Sequence, residues 1–63
     1  MPKPIDLTER ERQILLLIRL GKKNEEIAEA LDLSVNTVKT HMKSLFKKLN
    51  VRNRTEASHI EIK

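Results

Sequence analysis

The sequence predicts an all-α fold, a four-helix helix-turn-helix domain with a short C-terminal fourth helix. Three observations lead there. Apolar residues recur at helical spacing along most of the chain, and no segment alternates over a strand's length. Thr8, Ser34 and Asn53, residue types that cap helix N-termini, each precede one of these periodic segments. After Pro4 there is no proline, and Gly21 is the only glycine.

With 63 residues the chain makes one small domain. Such a domain buries only about 60% of the surface its unfolded chain exposes, so a thin core is expected. Residues 1–6 carry Pro2 and Pro4 and read as an extended leader, and 7–63 read as the domain. The first helix starts at Thr8, where Thr8-Glu9-Arg10-Glu11 has the form of a capping box. At about 100° per residue, Leu7, Glu11, Ile14, Leu15 and Ile18 share one face, with Leu17 at its edge. Gly21 offers the left-handed conformation that stops the helix.

Asn24 is the expected N-cap of a second helix over 25–31, whose inward residues are Ile27, Ala28 and Leu31. Asp32-Leu33 makes a tight connection. Ser34 caps a third helix over 35–49, with Val38, Met42, Leu45 and Leu49 as its apolar stripe and Val35 and Phe46 beside it. Asn53-Arg54-Thr55-Glu56 reads as a second capping box, opening a fourth helix that runs to Lys63 in barely two turns.

Several function classes are excluded at this level. There is no cysteine, hence no disulfide or thiolate metal site, and His41 and His59 stand in no ligand cluster, so no metal or cofactor is expected. His41 falls at the edge of the buried face and reads as a packed, hydrogen-bonded histidine rather than a catalytic one, with a phosphate contact as the alternative. No nucleophile–base or paired-acid constellation is visible, which argues against an enzyme. The longest apolar run, 14–18, is far too short to span a membrane, and nothing resembles a signal peptide. A membrane-surface helix is disfavoured because the lysine-rich helix needs its apolar stripe for the core. The cytoplasm is therefore the expected compartment.

The formal net charge is +4. Its distribution says more than its size. Lys39, Lys43, Lys47, Lys48, Arg52 and Arg54 lie in residues 39–54 with no acid among them, and all nine acids lie elsewhere. Phe46 is the only aromatic residue. Single-stranded nucleic acid is usually held on several aromatic platforms, so double-stranded DNA is the better partner.

Opposite the stripe of the third helix, Asn36, Lys39, Thr40, Lys43 and Lys47 form a polar, cationic face. A merely solubilising face would mix signs, as Glu9, Arg10, Glu11 and Arg12 do in the first helix. Lysine can donate to guanine O6 and N7, and threonine can meet a base edge or a thymine methyl. Lys39, Thr40 and Lys43, in the half of the helix that enters the major groove, are the base-reading candidates. Ser34, Asn36 and Thr37 lie at the helix N-terminus, which attracts phosphate, although capping alone would explain Ser34. Lys47 and Lys48, further along, and Arg54 are expected on phosphate, as is Asn24 at the start of the helix that crosses the backbone.

These segments resemble the LuxR-type (GerE-like) helix-turn-helix, the output domain of NarL/FixJ response regulators and quorum-sensing regulators. The resemblance spans about residues 7–57. It rests on Leu7-Thr8-Glu9-Arg10-Glu11-Arg12, Asn24-Glu25-Glu26-Ile27-Ala28, Ser34-Val35-Asn36-Thr37-Val38-Lys39-Thr40-His41, Lys48-Leu49-Asn50-Val51 and Arg52-Asn53-Arg54-Thr55-Glu56-Ala57. It implies a bacterial transcription regulator or its output domain, nucleoid-associated when bound, whose third helix reads DNA as part of a dimer. It places base contacts on Lys39, Thr40 and Lys43, and backbone contacts near Asn24, Thr37 and Lys48. A homodimer on DNA and a contact with RNA polymerase are the further partners expected.

The chain departs from the family pattern in three ways. Positions 16 and 20, usually polar, are Leu16 and Leu20. Arg19 replaces a commonly small residue. The fourth helix, usually longer and dimerising, is short and polar from Ser58. Leu16 and Leu20 are expected to form an exposed ridge for a partner, with Ala57 and Ile60 as apolar contacts on the fourth helix. No receiver or ligand-sensing module precedes the domain here, so the chain reads as an excised fragment or a stand-alone regulator. Two alternatives stand beside the DNA reader: a truncated interaction module that pairs with and inhibits a full-length regulator, and a sigma-factor-like promoter-binding domain.

Overall fold

A computed structural model describes residues 6–60. Among them it shows four helices and no strand: α1 (Glu9–Arg19), α2 (Asn24–Leu31), α3 (Val35–Leu49) and α4 (Arg54–Ser58). Most of the expected leader, and the end of the chain that would have carried the fourth helix to Lys63, lie outside the described residues.

Local chemistry sets each boundary. The Thr8 hydroxyl accepts the Glu11 N–H at 3.1 Å, and the Glu11 carboxylate accepts the Thr8 N–H at 2.9 Å, so the capping box is complete. Gly21, at φ 81°, ends α1. α2 starts one residue earlier than expected: Glu26 accepts the Lys23 N–H at 2.8 Å, which makes Lys23 the cap and Asn24 the first helical residue. The α2–α3 turn closes on Asp32 in the left-handed region, φ 56°, and Leu33 donates its N–H to Ala28 O at 2.8 Å. Ser34 Oγ accepts the Thr37 N–H at 3.1 Å and caps α3. Asn50, also at φ 56°, ends it.

α4 departs most from expectation. Asn53 Oδ1 accepts the Glu56 N–H at 2.9 Å, but the Glu56 carboxylate turns to the Arg52 N–H at 2.7 Å, leaving the box half formed. The helix ends at Ser58, whose hydroxyl donates to Thr55 O at 2.6 Å. Such back-bonding gives the backbone an alternative to the helical ladder.

α3 packs against both α1 and α2, and α4 packs on α1. The core is Ile14, Leu15, Ile18, Ile27, Ala28, Val38, Met42, Leu45, Leu49 and Ala57. The expected stripe of α3 is buried throughout. Leu31 is only half-buried, and Leu7, Leu17, Val35, Phe46 and Ile60 pack at the margin. Ala57, expected on a partner surface, is fully buried; α4 is so short that its one small side chain must fill the core.

The one buried charged residue among those described is Glu11, 3% exposed. Lys48 Nζ lies 2.7 Å from its Oε1, and the Ser44 hydroxyl donates to its Oε2 at 2.9 Å. Burial alone would raise this carboxyl. Donation from Lys48, the Thr8 backbone and Ser44 outweighs burial and holds it at about 2, against an ordinary 4.5.

A carboxyl depressed on folding adds stability that is complete above its unfolded pKa and is lost as pH falls through its folded one. The shift corresponds to at most about 3 kcal/mol, less whatever solvent screens at Lys48. Urea unfolding midpoints should therefore fall steeply between pH 4.5 and about 2. The Glu11→Gln variant should start lower by about 2 kcal/mol and show a flatter fall. An unchanged acid limb in that variant would assign the effect to other carboxylates.

Candidate nucleic-acid interface

α2, the left-handed turn at Asp32 and the Ser34-capped α3 form one continuous unit. Its outward side is the face of α3 opposite the core. Asn36, Lys39, Thr40, Lys43 and Lys47 are all exposed there, with no acid in the helix. Thr40 donates its hydroxyl to Asn36 O at 3.1 Å and is itself exposed. Lys39, Thr40 and Lys43 also border a shallow recess floored by Met42 and Phe46. His41 is half-buried at the edge of α3, and no side-chain hydrogen bond forms from it among the described residues.

At the N-terminus of α3, Ser34 is exposed and Thr37 half-buried, and the Ser34 hydroxyl donates to Thr37 Oγ1 at 2.8 Å. No acid occupies the first turn, so the positive end of the helix dipole faces solvent uncompensated. Lys47 and Lys48 lie in the last turn, where cations are favoured by the opposite end.

Two expected phosphate ligands are engaged within the domain. Lys48 leans toward α1, its Nζ on Glu11 and 3.5 Å from Asp6 O. It serves the α1–α3 junction rather than the open face. Arg54 is half-buried, and its Nη2 donates to Asn24 Oδ1 at 2.7 Å, tying α4 to the start of α2. Its Nε is enclosed without a partner among the described residues. The Asn24 amide oxygen is thereby occupied, though its NH2 group remains available.

Sequence reasoning placed Glu11 on the buried face and in the Thr8 capping box but assigned it no partner on the third helix. The signal was present: a carboxylate on an apolar face needs a cation or several donors, and the cations of α3 lay opposite. The Arg54–Asn24 bond spans 30 residues and carries no comparable local signal. Among the described residues no group of acids, histidines and cysteines could hold a metal ion, and no helix is long and apolar enough to cross a membrane.

A short helix, a tight turn and a capped second helix with an acid-free cationic face define the helix-turn-helix class of DNA-binding domain found in transcription regulators. The family described as "Bacterial regulatory proteins, luxR family" matches residues 6–60, and the chain belongs to that family. Over 51 residues it is 57% identical to the probable csgAB operon transcriptional regulatory protein of Salmonella typhimurium, covering 81% of this chain and 24% of that protein. It is 53% identical over 51 residues to the response regulator protein VraR of Staphylococcus aureus, again covering 81% and 24%. The HTH-type transcriptional regulator MalT of Vibrio campbellii is also 53% identical over 51 residues, which are 81% of this chain and 6% of that protein. The chain thus spans a quarter or less of the length of these relatives.

The geometry separates two kinds of lysine. Lys48→Ala should lower stability by about 1–3 kcal/mol, because it leaves a buried carboxylate without its cation. Lys39→Ala and Lys43→Ala should stay within about 0.5 kcal/mol of the parent. Urea unfolding of the three variants at neutral pH checks this.

Proposed function

We propose that this chain reads duplex DNA sequence-specifically, with α3 in the major groove, as the DNA-binding module of a transcription regulator. The observation that carries this reading is the exposed, acid-free face of Asn36, Lys39, Thr40, Lys43 and Lys47 behind an uncompensated helix N-terminus. Lys39 and Lys43 donate to guanine edges, and the Thr40 methyl meets a thymine methyl. Ser34, Asn36 and Thr37 approach phosphate at the N-terminus of α3, and Lys47 approaches it one turn beyond the bases. The Asn24 NH2 group, held in place by Arg54, meets phosphate from α2. Lys48 and Arg54 act as positioning residues. RNA polymerase contact and nucleoid association belong to the proposed regulator role as its further partners. Nothing in this reading calls for catalysis or a cofactor.

Each domain then engages one half-site. Pairing of adjacent domains on DNA through α4 finds little support, because Ala57 is buried and Ile60 is half-buried against the core.

Selection from random duplexes, followed by binding measurements on the best site, tests the reading. Lys39→Ala and Lys43→Ala should each cost about 1–3 kcal/mol on that site and relax one base position. Lys47→Ala should weaken all duplexes alike and reduce the log–log salt slope, expected near −4 for four to five neutralised phosphates, by about one. A base preference unchanged by both Lys39→Ala and Lys43→Ala would remove α3 from the major groove.

A further inference from the structure

The face of α3 assigned to DNA is not wholly polar. Lys39, Lys43 and Phe46 stand at i, i+4 and i+7, so they form one row along the helix surface. Phe46, the only aromatic residue of the chain, continues the row that begins with the two base-reading lysines. It packs at the margin of the core yet is only half-buried.

A helical side chain covers the surface over the turn that precedes its own Cα. Phe46 therefore reaches back toward Met42 and Lys43 rather than on toward the end of α3. In agreement, Phe46 and Met42 share one shallow recess with Lys39, Thr40 and Lys43. Its lining is mostly apolar. Met42 is buried and closes the floor, whereas Lys39 and Lys43 are exposed and stand at the rim. The two charged groups of the rim can donate hydrogen bonds and cannot accept them.

The occupant of such a recess is defined by its surroundings. The cationic, acid-free helix selects a polyanion. The apolar floor selects a small apolar group carried by that polyanion, and the lysines select an acceptor beside the group. In the major groove of duplex DNA, thymine presents this combination, its 5-methyl group standing next to the O4 acceptor. A 5-methylcytosine carries the same methyl next to an N4 amino donor, which two ammonium groups cannot satisfy.

We propose that Phe46 is a specificity-determining residue, which with Met42 forms a recess for the 5-methyl group of one thymine in the DNA site. This rests on the reading that α3 lies in the major groove, and it extends the reading surface beyond Lys39, Thr40 and Lys43. The lysines discriminate through hydrogen bonds. The recess discriminates through the presence of a methyl group, so it separates thymine from the three unmethylated alternatives at one position. Burying one methyl group is worth about three- to five-fold in affinity.

The test starts from the preferred site obtained by selection from random duplexes. Each thymine in it is replaced singly by deoxyuridine, which removes the methyl group and keeps O4, and binding is followed by fluorescence anisotropy. The parent chain should lose about three- to five-fold at one thymine. Phe46→Ala should bind the thymine and deoxyuridine duplexes within about 1.5-fold of each other at that position, and should keep the base preferences set by Lys39 and Lys43. Phe46→Leu, which keeps an apolar wall, should retain at least about two-fold discrimination. Each ratio is taken within one protein, so a loss of stability cancels from it. Exchanging the same T·A pair for 5-methylcytosine·G should weaken parent binding by at least about five-fold.

A purely structural Phe46 would lower affinity for both duplexes alike and leave the methyl effect intact in Phe46→Ala, which overturns the proposal. So would a methyl effect lost in Thr40→Ser but kept in Phe46→Ala, since Thr40 alone would then sense the group. Equal binding of the 5-methylcytosine duplex would overturn the choice of thymine. A preferred site without thymine, or one insensitive to every deoxyuridine, overturns the recess and leaves the proposed function standing. Binding with no preferred site at all removes α3 from the major groove, and the recess with it.

Discussion

The carboxylate of Glu11 is the point at which the two halves of this fold are joined. It accepts from the backbone that starts α1, from Ser44 in the middle of α3 and from Lys48 near the end of α3. In so small a domain, apolar burial fixes which faces meet but only loosely fixes how far one helix slides along another. The two donors that α3 sends to this carboxylate fix that slide, since displacement by a single turn, about 5.4 Å, would break both contacts. The α3 face is presented in one register relative to α1 because this group is satisfied in one register only.

The same interaction sorts the charges of α3. Lys48 is drawn toward α1 and becomes part of the scaffold. Among the described residues Lys39, Lys43 and Lys47 pair with no carboxylate, and they remain on the open face. Capping separates the helix ends in a similar way. Acids lie in the first turns of α1, α2 and α4, where they offset the local dipole, and none lies in the first turn of α3. The one helix whose N-terminus is left electrostatically open is also the one with the cationic face.

Much of the fold was legible because its boundaries are set by contacts three or four residues apart. Thr8 and Ser34 cap within their own first turns, and the 3.6-residue period assigns Val38, Met42, Leu45 and Leu49 to the core, where all four are found. What was misread depends on longer range or on competition between equivalent local bonds. Asn24 looked like a cap because its side chain suits one; Glu26 instead selects Lys23, and Asn24 is recruited by Arg54 from 30 residues away. Lys48 and Lys47 are neighbours in the same basic run, and only the position of Glu11 tells them apart. Ala57 was read as a partner contact on a helix expected to run two turns, with Ile60 beside it. A helix of five residues has no apolar side chain to spare, and its alanine goes inward.

That shortness has a consequence for the surface as a whole. A thin core uses the inner faces of all four helices, so any remaining apolar surface must sit where no element reaches. Here α4 covers α1 from one side and α3 from another, leaving the back of α1 uncovered next to the end of α2. An exposed leucine is unremarkable by itself. Two of them one turn apart, Leu16 and Leu20, continued by Gln13, Leu17, Ala30 and Leu31, form a shallow and largely apolar surface. The fold therefore carries two chemically distinct faces on opposite sides of one small core. The cationic face is without acids and suits a polyanion. The strip on the back of α1 is largely apolar and bordered by charges of both signs. Because α1 lies between them, and its position on α3 is held through Glu11, occupation of one face leaves the other sterically free.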